Sequence, residues 1–120
     1  MRSKRHTVDE KSRNVEDLER IIREFDQMAA DLDRQIQLEE DRTGIRDHGH
    51  FSYSTFAKAA AQRRDNLRDS MTGLRDKLAA ALRERDDAAE ALTRATAQME
   101  ARDDNRHQRQ RGSRSSVIAR

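Results

Sequence analysis

VEDLERIIREFDQMAADLDRQI, residues 15–36, carries apolar side chains at Val15, Leu18, Ile22, Phe25, Ala29, Leu32 and Ile36. The steps alternate between three and four residues, the heptad seam of a coiled coil, in which one narrow stripe of a helix keeps facing a partner helix. Backward, the seam passes through Lys11 to Val8; forward, it fades in the polar run Glu39-Glu40-Asp41-Arg42 ahead of Thr43-Gly44. A glycine just past the last periodic residue is a helix stop, because it enters the left-handed region with no Cβ to clash. Helix one is therefore expected over about 8–43, with the residues before it frayed.

Residues 44–53 hold two glycines, two histidines, Ile45, Phe51 and Tyr53 with neither helical nor strand periodicity, and they are expected to form the connecting loop. Ser52 or Ser54 is placed to cap the next helix by accepting from its unsatisfied first-turn amides. A second seam follows at Ala60, Arg64, Leu67, Met71, Leu74, Leu78, Ala81, Arg85, Ala88, Leu92, Ala95 and Met99. This gives helix two over about 54–106 and a flexible basic tail over 107–120.

In an antiparallel hairpin, paired core positions have residue numbers that add to one constant. With a constant of 96, Val15 pairs with Ala81, Leu18 with Leu78, Ile22 with Leu74, Phe25 with Met71, Ala29 with Leu67, and Ile36 with Ala60. The midpoint, residue 48, falls inside the loop, and several layers set a large side chain against a small one, as close packing requires. The fold expected is all-α, a long antiparallel two-helix coiled-coil hairpin. A slip by one heptad preserves the spacing. Two layers, Lys11 opposite Arg85 and Leu32 opposite Arg64, place cations on the stripe and predict local loosening, unless their stems cover it while the heads reach water or nearby acids.

Composition agrees with a structure that buries only a stripe. Of 120 residues, 33% are hydrophobic, 3% aromatic and 40% charged, too little apolar material for a globular core. The 25 basic and 23 acidic residues nearly cancel, and there is no proline, which argues against a disordered chain of this charge density. Acids interrupt the cations at nearly every turn, so nucleic acid is not an expected partner despite a pI near 9.4. With no cysteine, no disulfide framework or Cys-based zinc site is expected, and with no apolar run after Met1-Arg2-Ser3, neither a signal peptide nor membrane insertion. A cytoplasmic location follows.

Catalysis needs a concave, partly dry site that a two-helix rod does not supply, so no enzymatic activity, cofactor or metal is expected. His48-x-His50 lacks further ligands at a matching spacing and reads as two polar loop residues. The abundant acids and bases read as solubilising faces, with ion pairs expected from Glu16 to Arg20, Glu19 to Arg23 and Glu90 to Arg94. Met28 and Met71, beside and on the seam, are expected to pack in it. Phe51, Tyr53 and Phe56 either cap the end of the coil, present an apolar patch to a partner, or do both.

The unequal helix lengths give a second candidate surface. Under the constant of 96, Leu92 meets Lys4 and Ala95 meets Met1, both in the segment expected to fray, and Met99 meets nothing. Leu92, Ala95 and Met99 would then form an uncovered stripe continued by Arg102 and Arg106. Either a partner, a second copy or simple fraying accounts for it.

Met28 to Ile36, Gly44-Ile45, His50-Phe51-Ser52-Tyr53-Ser54-Thr55-Phe56-Ala57-Lys58-Ala59-Ala60, and Arg63 to Leu67 resemble the alphaproteobacterial branch of the FliJ family. The likeness spans about Thr7 to Met99 and is most specific around the loop. Ser54 stands where the branch carries proline, and residues 112–120 depart from the family's helical ending. The resemblance implies a cytoplasmic two-helix component of the flagellar type III export apparatus that engages the ring of the export ATPase, contacts the export gate membrane protein and helps cycle export chaperones. The partner-binding candidates, read from the loop aromatics and from the overhang of helix two, are Phe51, Tyr53, Phe56, Leu92, Ala95, Met99, Arg102 and Arg106. The alternative is a generic cytoplasmic coiled-coil scaffold that homodimerises.

Overall fold

The computed structural model describes residues 2–118, with side chains through residue 112. Two helices, α1 over Arg2–Thr43 and α2 over Thr55–Ile118, form an all-α hairpin. The chain divides into two compact units: Arg13–Ala81, which contains the turn, and Met1–Ser12 with Leu82–Arg120, which contains the chain ends.

In the turn unit, α1 buries Val15, Ala29, Leu32 and Ile36, and α2 buries Ala57, Ala60, Met71 and Ala81. Leu18, Ile22, Phe25, Leu67, Leu74 and Leu78 are half-buried between them. Every one of these lies on the expected seam or one step beyond it, because two helices can hide only the stripe they share. Burying such side chains stabilises by roughly 1.5–3 kcal/mol for each large one.

Register is fixed by charged contacts. Arg64 Nη1 donates to Asp33 Oδ1 at 2.8 Å, a pair whose numbers add to 97. In the unit with the chain ends, Lys11 Nζ donates to Glu84 Oε2 at 3.1 Å, a pair adding to 95. Both bracket 96; a heptad slip would need about 89 or 103. The expected loosening at the cationic layers is not found. Leu32 is only 7% exposed, in a cluster with Ile36, Tyr53, Ala57 and Ala60, while the Arg64 head reaches Asp33. At the other layer Lys11 turns to Glu84 and Arg85 to Asp86, at 2.9 Å.

Two boundaries differ from the sequence expectation. Helix α1 begins at Arg2, not near Val8. Helix α2 continues through residues 107–118, where a tail was expected, and residues 119–120 lie outside the described residues. Residues 2–7 and 107–112 are exposed helix, so no hydrophobic pattern announced them. The ion pairs also differ: Arg20 pairs with Asp17 at 3.4 Å and Glu24 at 3.9 Å rather than with Glu16, and neither Glu19–Arg23 nor Glu90–Arg94 forms. Exposed pairs of this kind are nearly isoenergetic, so spacing does not choose among them.

Candidate docking site

The turn begins where Gly44, at φ +73°, ends α1 and its amide donates to the Glu40 carbonyl at 2.8 Å. This left-handed stop is the one expected from the sequence. Asp47 then organises the loop: its Oδ1 accepts from the Gly49 amide at 3.0 Å, and its carbonyl from the His50 amide at 3.0 Å. His50 follows suit, its Nδ1 accepting from the Ser52 amide and its carbonyl from the Tyr53 amide, each at 3.0 Å. Four backbone amides in ten residues are thereby tied down, and a short polar loop becomes a fixed platform.

Ser54 starts α2. Its Oγ accepts from the Ala57 amide at 3.2 Å, the N-cap bond, and donates to Glu39 Oε1 at 2.9 Å, joining the end of α1 to the start of α2. Glu39 also accepts from Arg42 Nε at 3.1 Å. The Arg42 hydrogen bond and then that of Ser54 hold the Glu39 carboxyl below its usual range, and the same contact raises Arg42.

This frame sorts the three aromatic candidates. Tyr53, 6% exposed, packs with Leu32, Ile36, Ala57 and Ala60, with Ile45, Ala61 and Leu67 around them. It caps the coil and presents no surface, contrary to its expected place among partner-binding residues. His48 stacks on it at 4.7 Å between ring centroids and sits 3.9 Å from Glu40. The Tyr53 hydroxyl is buried with no hydrogen bond of ordinary geometry, and burial first, then the neighbouring Glu40 carboxylate, pushes its pKa up. Phe51 points the other way, 94% exposed and stacked only on His50, and Phe56 is 57% exposed on the first turn of α2. The cap is thus Tyr53, and the exposed aromatics are Phe51 and Phe56.

The second candidate surface lies in the unit with the chain ends. Leu92 and Ala95 are half-buried, because α1 is helical to Arg2 and does not fray away from them. The uncovered stripe therefore starts at Met99, 48% exposed, and continues through Arg102 and Arg106 on a helix whose residues 97–112 are all exposed. Among the described residues, no three His, Cys, Asp or Glu side chains cluster as metal ligands, and no helix is long and apolar enough to cross a membrane. Sequence reasoning placed Met28 in the seam; it is 48% exposed and lines a groove with Phe25 and Leu67. Its position one step off the stripe was the available signal.

The chain matches no protein-family model, no curated protein and no solved structure.

Proposed function

We propose that this chain is a FliJ-like component of the flagellar type III export apparatus, a cytoplasmic hairpin that docks on the export ATPase ring and the export gate and assists chaperone cycling without hydrolysing anything itself. The observation that carries this reading is the Phe51 ring, 94% exposed on a turn whose backbone is fixed by hydrogen bonds. A large aromatic held rigidly in water loses little freedom on binding and removes much apolar area when a partner covers it. The most specific part of the family resemblance, His50 to Ala60, spans the same turn. Support for a second contact comes from Met99, Arg102 and Arg106, an apolar residue followed by cations on exposed helix, suited to a partner with an apolar pocket and an acidic rim.

The alternative, a scaffold that homodimerises through its heptad seam, needs that seam free. Here α2 of the same chain occupies it, with Ile36 and Ala60 buried in one cluster. Capture with the tagged chain from flagellated cells, at mild salt, tests the proposal. Recovery of the export ATPase and the export gate protein is expected, and absence of both overturns it.

A further inference from the structure

The seam of the turn unit has two unlike flanks. On one, α1 carries Glu19, Asp26, Asp33 and Glu40, and Asp33 pairs across to Arg64 and Arg68 of the same chain. On the other, α1 is uncharged at Ile21 and Met28. Phe25, Met28 and Leu67, with Arg63, Asn66 and Ser70, line an open groove of about 290 Å³. No described residue fills it.

An acidic row on α1 and a row on α2 that carries two cations border this groove. Along α1 run Asp17, Glu24 and Asp31, seven residues apart and all exposed. Along α2 run Phe56, Arg63, Ser70 and Lys77, also seven apart and all exposed. The acids pair only with Arg20 and Arg34 of their own helix, exposed contacts that a better-placed cation can replace. Arg63 and Lys77 form no ion pair with any described residue. Gly73, between Ser70 and Lys77, has open space where a side chain would stand.

We infer that a second copy of this chain occupies the groove, related by a two-fold axis running along it. Such an axis lays α1 of one copy antiparallel over α2 of the other, giving the neighbour relations of a four-helix bundle. Residue n of α1 lies level with residue 96 − n of α2 within one copy, and the axis preserves that level between copies. Asp31 of one copy then meets Arg63 of the second, and Asp17 meets Lys77, each pair formed twice. Met28, Phe25 and Leu67 of both copies close on the axis and leave water. A two-fold axis set across the groove would instead stack α1 on α1 and bring the acidic rows together, so charge selects the first arrangement. The row from Phe56 to Lys77 covers only about 30 Å of helix, which suits a reversible dimer rather than an obligate one. This inference rests on the groove, independently of the export reading.

Sedimentation velocity on the full chain, from about 1 µM to about 500 µM, tests it. The wild type should pass from monomer to dimer within that range. Arg63→Glu with Lys77→Glu, or Asp17→Lys with Asp31→Lys, should each raise the dissociation constant roughly tenfold or more with unchanged helicity, and an equimolar mixture of the two variants should restore dimers. A Met28→Cys chain, which has no other cysteine, should crosslink between copies through a short bifunctional maleimide. A wild type that stays monomeric throughout, or charge-reversed variants that dimerise as the wild type does, overturns the inference.

Discussion

Arg64 stands on the apolar seam of α2, yet its Nη1 donates to Asp33 Oδ1 at 2.8 Å, while Arg68 Nη2 reaches the other oxygen of the same carboxylate at 3.0 Å. One acid on α1 thus gathers two cations from successive turns of α2. The pair is half-exposed, so its contribution to stability is small, but a heptad slip would carry both arginines away from Asp33. Its main effect is to choose among registers that the apolar spacing alone leaves equal.

Asp33→Ala should therefore lower stability in urea by only about 0.5–1 kcal/mol. Leu18→Cys with Leu78→Cys should still form an intrachain disulfide in the otherwise wild-type chain, and in the Asp33→Ala background part of it should give way to other pairings. Interchain disulfides alone, at high dilution, would contradict the hairpin.

Tyr53 is the single tyrosine of the chain, so phenolate absorbance reports it alone. Its folded-state pKa lies above the ordinary value of 10.0 because burial disfavours the anion. The neutral phenol therefore contributes stability that is complete below pH 10 and is lost as pH rises through the higher folded value. Titration of the hairpin should give a midpoint above that of the chain in concentrated urea. Equal midpoints would mean that the ring is not buried.

Tyr53→Phe removes a buried hydroxyl with no well-formed hydrogen bond and should leave stability unchanged or raise it by about 1 kcal/mol. Tyr53→Ala opens a cavity among Leu32, Ile36 and Ala60 and should cost roughly 3–5 kcal/mol. Thermal melting followed at 222 nm separates the two; a clear loss with Phe would show that the hydroxyl works with Glu40.

Ser54→Ala removes the N-cap bond to Ala57 and the tie to Glu39, and should cost about 1 kcal/mol. Glu39 has a depressed folded pKa, so the stability from its contacts is present above the ordinary carboxylate value of 4.5 and lost as pH falls through the lower folded one. Acid melts of Glu39→Gln should show less of this low-pH loss than those of the wild type.

The seam was legible because it is a local, repeated signal: each of Val15, Leu32, Ile36, Met71 and Ala81 is buried where the heptad spacing put it. The stop at Gly44 was legible for the same reason, since it rests on one residue's backbone, while the cap was legible only as Ser52 or Ser54, and Ser54 makes it. What escaped depends on choices the spacing does not decide. Tyr53 turns inward and Phe51 outward only once the bonds of Asp47 and His50 set the loop, and nothing in the aromatic composition separates them. Arg64 reads as a defect until Asp33 is seen beside it. The helical residues 2–7 and 107–112 are all exposed, and so leave no periodic trace.

The most direct measurement is binding of the purified chain to the purified export ATPase and to the cytoplasmic part of the export gate, comparing wild type, Phe51→Ser with Phe56→Ser, and Met99→Asp with Arg102→Glu. Both paired variants change only exposed side chains, so their circular dichroism should match the wild type. The account expects the wild type to bind both partners, and each variant to weaken at least one of them roughly tenfold or more. A folded wild-type chain that binds neither protein would contradict it.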